Sequence, residues 1–155
     1  MSFAPAPLIL PTDGHTIALA QRMAPLLRSG DALLLSGPIG AGKSFFARAL
    51  IRALLGNPTE EVPSPSFTLV QTYQADGVEI WHCDLYRLTS AQEVWELGLE
   101  EAFVQAICLI EWPDRLGDLA PPGALSLTFA AMEDHHMMQL CGPDMWTSRL
   151  GGLIV

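Results

Sequence analysis

Lysine is nearly absent from this chain. Among 155 residues there is one, Lys43, while the seven other Lys or Arg positions are all arginine. Positive charge is scarce as a whole: eight Lys and Arg stand against seventeen Asp and Glu, a formal net charge of -9 at pH 7. That field repels polyphosphate backbones and anionic headgroups, so unaided binding of nucleic acid or an anionic membrane is disfavoured. Long apolar runs are missing too, and none approaches the roughly 18 residues that a membrane span needs. The opening MSFAPAPLIL has neither the basic start nor the long apolar stretch of an export signal. A cytoplasmic protein is expected. Cys83, Cys108 and Cys141 stand far apart, without C-x-x-C spacing, each in an apolar stretch. They are expected as reduced core residues.

What remains is apolar material in alternating periods. Half of the residues are hydrophobic, enough for one core at this length. No internal repeat or low-complexity linker interrupts the chain, and helical and strand periods follow one another as in an α/β protein. Between Thr12 and Arg28, Ile17, Ala20, Ala24 and Leu27 recur at helical spacing, with Asp13 or Thr12 as N-cap and Gly30 beyond the end. Ala32 to Ser36 reads as a strand. Lys43 to Leu55 reads as a helix, with Phe46, Ala49, Leu50 and Ala53 on its inner face before Gly56. Thr68 to Gln74 and Val78 to Leu85 flank Ala75-Asp76-Gly77 and predict a β-hairpin. Ser90 is placed to cap a helix that ends at Gly98, with Glu93 reaching back to the Ser90 amide. Ile107 to Trp112, apolar up to Glu111 and stopped by Pro113, reads as a central strand buried on both faces. Ala124 to Ala130 and Met137 to Cys141 read as two closing antiparallel strands. Residues 142–155 carry no clear pattern.

The stretch GPIGAGKS, residues 37–44, matches G-x-x-x-x-G-K-[ST] at every fixed position, between a predicted strand and a predicted helix. The chemistry explains the residue types. Gly40 and Gly42 let backbone N–H groups curl around a phosphate at the positive end of a helix dipole. Lysine is a compact point charge able to bridge β- and γ-phosphate oxygens, where the broad fork of arginine does not fit. Lys43 is therefore lysine because arginine cannot replace it there. Ser44 offers a hydroxyl to a magnesium ion, which a triphosphate needs for charge neutralisation. The expected contacts of ATP, or of ADP as product, are Gly37, Pro38, Ile39, Gly40, Ala41, Gly42, Lys43 and Ser44.

Three further stretches bear on function. In SPSFTLVQTY, residues 64–73, Ser64 or Ser66 is a candidate sensor of the γ-phosphate, against a plain turn that primes the next strand. In HCDLYR, residues 82–87, Asp84 closes an apolar strand, where an acid costs free energy unless a pair or a metal holds it; a Walker B-like role follows. In LIEWP, residues 109–113, Glu111 lies at a strand end, where open α/β sheets bind ligands, and is expected at magnesium or the attacking water. Which of Asp84 and Glu111 is the second magnesium contact beside Ser44 stays open. His82 reads as an ordinary core or surface histidine. His135 and His136 read as a loop end, since adjacent strand residues face opposite ways. Glu93, Glu96, Glu100 and Glu101 read as a solvated helix face, with partner docking as the alternative.

Taken in order, GPIGAGKS, SPSFTLVQTY, HCDLYRL, ELGLEEAF and ICLIEWPDRL resemble the TsaE (YjeE) family, small bacterial ATPases of the tRNA threonylcarbamoyladenosine pathway. The resemblance runs from about Ile9 to Cys141. Where the family usually reads LGAGKT and SPTF, this chain has IGAGKS and SPSF, which keep a hydroxyl at each place. The resemblance implies ATP hydrolysis in support of a TsaD and TsaB complex, which carries out the modification. It also implies an acidic residue near the nucleotide before the first helix, where Asp13 falls.

The expectation is one P-loop NTPase-like domain over residues 1–155, with its core from about 9 to 141. It should hold a central, mostly parallel sheet with antiparallel flanking strands and helices on both faces. Lys43, Asp84 and Glu111 are the expected catalytic residues; Ser44, Glu111 and Asp84 are the expected metal contacts. Two other readings are a small-molecule kinase and a nucleotide-binding regulatory module without turnover. The kinase usually needs several arginines, often on a lid. Arg22, Arg28, Arg48, Arg52, Arg87, Arg115 and Arg149 are dispersed, and Arg87 is the one best placed to matter.

Overall fold

The computed structural model describes residues 2–154; residues 1 and 155 of the predicted domain lie outside the described residues. Eight strands form one sheet: β1 (Ser2–Phe3), β2 (Leu8–Leu10), β3 (Ala32–Ser36), β4 (Val70–Ala75), β5 (Val78–Asp84), β6 (Ala106–Glu111), β7 (Leu125–Ala131) and β8 (His136–Pro143). The order is β1-β8-β7-β3-β6-β5-β4, with β2 also paired to β8. Four central strands, β7, β3, β6 and β5, run parallel. The flanking pairs β4/β5 and β7/β8 are antiparallel, as are β1 and β2 on the outer edge of β8. The helices are α1 (Asp13–Met23), α2 (Lys43–Leu55), α3 (Ala91–Glu96), α4 (Leu99–Gln105) and α5 (Met145–Ile154).

The pleat divides the core in two. On β3, Leu33 and Leu35 pack with Phe46, Leu50 and Ile51 of α2 and with Leu19 and Met23 of α1. Ala32 of β3 and Cys108 and Ile110 of β6 pack on the other face with Val94, Leu99 and Ala102 of α3 and α4. Helices thus cover both faces, which explains why β6 is buried along its whole length. Phe3, Trp146, Leu150 and Leu153 join the α2-side core, so packing extends on both sides of residues 9–141.

Several elements depart from the sequence expectation. The first helix buries Thr16, Leu19, Ala20 and Met23, while Ile17 is exposed. Ala20 and Ala24 are buried as expected. Alanine also stands at position 18 beside Leu19, so the apolar residues do not mark one face alone, and the buried stripe runs through Leu19 and Met23 instead of Ile17. The α-helix also stops at Met23, and Pro25 lies in a 3-10 turn that follows. Ser90 caps α3 as expected, and the Glu93 carboxylate reaches back chiefly to Thr89, accepting from its amide at 3.1 Å and its hydroxyl at 2.8 Å. Gly98 both follows α3 and opens α4, a second helix hidden because one glycine serves as stop and start. Cys83 and Cys108 are buried free thiols; Cys141 is exposed, because it faces outward on β8. Arg87 lies in a turn after β5. Beyond Cys141, Gly142 and Pro143 complete β8 and Met145–Ile154 form α5.

A buried ion pair fastens α5 to the start of β3. The Arg149 guanidinium donates to both carboxylate oxygens of Asp31, at 2.8 Å for Nη1, and Asp31 also accepts from the Arg28 amide at 2.8 Å. Both side chains are largely buried. Removing one partner of such a pair leaves an uncompensated charge. Asp31→Ala should lower unfolding free energy by about 3 kcal/mol, read as a shifted urea midpoint. The double variant Asp31→Asn/Arg149→Met should lose less than the two single variants combined. A midpoint unchanged in Asp31→Ala would remove the pair from the stability of the fold.

Candidate functional site

The period of two along parallel strands assembles the site. On β6, Ile107 and Leu109 face α2, so Glu111, two residues further, faces it too. On β5, Ile80 faces α2, and His82 and Asp84 follow on the same face. Register sets Asp84 beside Glu111 on neighbouring strands and Glu111 beside Leu35 on the other side. The carboxylates therefore come out at the carboxyl ends of the strands, where β3 passes into the glycine-rich loop.

That loop depends on its glycines. Gly37 has φ 136°, and a Cβ there would lie 2.5 Å from the Phe129 carbonyl oxygen, so the backbone of β7 packs against it. Gly42 has φ 108° and is the N-cap of α2, with no side chain accepting from the first-turn amides. Those amides have no acceptor within the helix and carry the positive end of its dipole, which suits an anion. Lys43, the first residue of α2, is only 5% exposed, and its Nζ finds no hydrogen-bond partner among the described residues. Nζ lies 3.7 Å from the centroid of the Trp112 ring, a cation–π contact. Burial pulls the Lys43 pKa below its usual value, and the nearby Glu111, Asp84 and Asp114 carboxylates pull it back up.

Behind the lysine lies a short polar chain. Ser44 Oγ donates to Glu111 Oε1 at 2.9 Å, and His82 Nε2 lies 2.8 Å from Glu111 Oε2. The carboxylate only accepts, so Nε2 carries the proton. Asp84 accepts from the Tyr86 amide at 3.0 Å and from Ser66 Oγ at 3.4 Å, and Ser66 Oγ lies 2.7 Å from Ser64 Oγ. The Asp84 amide donates to the Leu69 carbonyl at 3.0 Å, so the 64–68 loop is tied to Asp84 through side chain and backbone.

A cleft of about 580 Å³ opens over these groups. Asp13, Ile39, Gly40, Ala41, Gly42, Lys43, Ser44, Asp84 and Glu111 line it, as do Ser64, Ser66 and Trp112. Gly37 and Pro38 do not; Gly37 serves the turn against β7 instead. Arg87 lines the cleft from its mouth, with its guanidinium 5.3 Å from the exposed Phe67 ring. Arg48 and Arg115 turn instead to carbonyl oxygens of Val62 and Tyr86. Sequence reasoning missed His82, His136 and Thr16. His136 begins β8 and packs against Gly42, its Nδ1 3.3 Å from where a Cβ would stand. His82 was recoverable, since it sits two residues before Asp84 on one strand and shares its face. The arrangement offers buried positive charge and backbone amides at one end and hard oxygen donors beside them, which suits a polyphosphate with a magnesium ion.

Comparison with known proteins gives a consistent result. The family model "Threonylcarbamoyl adenosine biosynthesis protein TsaE" matches residues 10–139. A tRNA threonylcarbamoyladenosine biosynthesis protein TsaE of Rickettsia felis is 39% identical over 128 residues, 83% of this chain and 74% of that one. The protein of the same name from Bacillus subtilis is 33% identical over 121 residues, 77% of this chain and 74% of its own length. The crystal structure of Bacillus subtilis YdiB superposes with a TM-score of 0.80 at 26% identity, covering 99% of this chain and 95% of that one. This chain belongs to the TsaE family of tRNA threonylcarbamoyladenosine biosynthesis proteins.

Proposed function

We propose that this chain is a P-loop ATPase that hydrolyses ATP to ADP in the cytoplasm, in support of threonylcarbamoyladenosine formation by a TsaD and TsaB complex. The observation that carries the reading is Lys43: a buried ammonium, without a hydrogen-bond partner among the described residues, at the uncapped N-terminus of a helix and next to Ser44, Glu111 and Asp84. A buried charge so placed is suited to a polyphosphate. The amides of residues 40–44 and the Lys43 ammonium hold the phosphates. Magnesium, when bound, neutralises triphosphate charge, and Ser44 with Glu111 or Asp84 supplies its oxygen ligands. Glu111 also suits the orientation of the attacking water. Asp13, at the opening of α1 on the cleft wall, is the acid expected near the nucleotide.

Partner contacts follow from what the cleft offers. Phosphoryl transfer is fastest when a cation meets the charge developing on the γ-phosphate. Of the seven arginines, Arg87 alone lines the cleft among the described residues. It stands exposed at the mouth, so hydrolysis by the isolated chain is expected to be slow and completed by TsaD and TsaB. A kinase, which uses several arginines on two anionic substrates, is disfavoured on the same ground. With a net charge of -9, the chain acts through protein contacts and not by gripping tRNA itself.

Lys43→Ala should abolish ATP and ADP binding while leaving the unfolding midpoint close to the parent's. Titration of a variant with Trp112 as its only tryptophan reads this directly, since the ring lies against Lys43 Nζ. Nucleotide affinity equal to the parent's would overturn the phosphate-cradle assignment. Glu111→Gln keeps size but loses charge, and ATP hydrolysis should fall roughly 10²-fold. Asp84→Asn should weaken the magnesium dependence of ATP binding. Normal turnover in both variants would remove the two acids from the chemistry. Steady-state phosphate release should rise tenfold or more on adding TsaD and TsaB, about 1.4 kcal/mol of barrier. Full activity alone, with no response to the partners, would mean that the chain is self-sufficient.

A further inference from the structure

We propose that His82 is a positioning residue for Glu111: it holds one carboxylate oxygen so that the other stays aimed at Ser44. The inference rests on the reading of Glu111 as a contact of magnesium or the attacking water. His82 is 1% exposed, in β5 between Ile80 and Asp84, with Leu109 as its register partner on β6. An imidazole so buried needs a reason, because an unsatisfied polar group in the interior costs about 1–3 kcal/mol. Its hydrogen-bond partner among the described residues is Glu111 Oε2, at 2.8 Å, and its Nδ1 has none. Nε2 is therefore the nitrogen in use.

The two oxygens of Glu111 divide their work. Oε2 takes the His82 proton, and Oε1 takes the Ser44 hydroxyl at 2.9 Å. Glutamate has three rotatable bonds, and Glu111 is itself 1% exposed. Without His82, Oε2 would be a buried oxygen with no donor, and the carboxylate would turn away from Ser44 toward the Lys43 ammonium to find one. His82 does not line the cleft, so it touches neither substrate nor metal. It acts through Glu111, as the outer hydrogen-bond partners of metal-binding side chains do.

The test compares His82→Leu, which keeps a buried apolar volume and loses the donor, with His82→Gln, whose amide nitrogen reaches the place of Nε2. In a crystal structure of the nucleotide-free His82→Leu protein, the Ser44 Oγ to Glu111 Oε1 contact should be broken; in His82→Gln it should remain. Magnesium should strengthen ATP binding less in His82→Leu than in the parent, as read by Trp112 fluorescence. In the presence of the partners, kcat should fall about 10-fold or more in His82→Leu with KM for ATP little changed, and return to within about threefold of the parent in His82→Gln. Added to Glu111→Gln, His82→Leu should cause no further loss of kcat, because the residue on which it acts is already disabled. Equal losses in both His82 variants, or an additive loss in the double variant, would overturn the proposal in favour of a packing role. So would an unmoved Glu111 in the His82→Leu structure. If the parent showed no hydrolysis, the ATPase reading would fail separately, and the crystal structures would still decide whether His82 holds Glu111.

Discussion

Burying a cation and two carboxylates where α2 meets the ends of β5 and β6 is the constraint around which the rest of the molecule is arranged. Lys43, Asp84 and Glu111 are all buried, and moving isolated ions out of water costs several kcal/mol each. Here the charges offset one another: burial depresses the Lys43 ammonium, and Glu111, Asp84 and Asp114 restore part of its affinity for the proton. Each acid is then held by further donors, Glu111 by Ser44 and His82, and Asp84 by Ser66 and the Tyr86 amide. The three charged residues sit at the first turn of a helix and the last residues of two strands, which fixes their separation more tightly than loops would.

The sheet supplies that placement through connectivity. From β3 the chain passes into α2 on one face, while α3 and α4, which lead into β6, lie on the other. Connections that part to opposite faces leave a crevice at the carboxyl ends of the strands, where the glycine-rich loop and Glu111 meet. The antiparallel additions matter as well. β8 brings His136 against Gly42, and β7 brings its backbone against Gly37, so one wall of the loop is built by strands far along the chain. The α5 helix, tied to Asp31 by Arg149, fastens the far end of β3 to the same body.

How much of this was legible in the sequence depends on the kind of signal. The loop announces itself because glycine, lysine and serine at fixed spacing answer one chemical demand, and it duly lies between β3 and α2. The all-apolar run ending in Glu111 likewise has one sensible place, the middle of a two-faced sheet. By contrast, α4 was hidden by Gly98, which serves two helices at once. Two- and three-residue strands such as β1 and β2 are too short for a period, and only β8 gives them a partner. His82 was read as ordinary because its meaning lies in a residue 29 positions away. A pairing across two parallel strands is a property of register, which the sequence of either strand does not state.

Backbone strain shows where that register is made to serve chemistry. Among the described residues only two without a glycine's freedom have positive φ, Leu69 at 69° and Trp112 at 59°. A non-glycine residue there costs roughly 1–2 kcal/mol, and such strain persists when the surroundings demand it. Each of the two adjoins an acid of the site. Leu69 carries the carbonyl that accepts the Asp84 amide, so its turn keeps the 64–68 loop closed onto that strand. Trp112 follows Glu111 directly, and its left-handed turn folds the ring back over Lys43 and against Tyr86, instead of letting the strand run on past the sheet. Glycine at 112 would relax the backbone but would leave the buried ammonium without the ring face beside it. The strain is therefore the local cost of covering Lys43, and it falls where the charges most need cover from water.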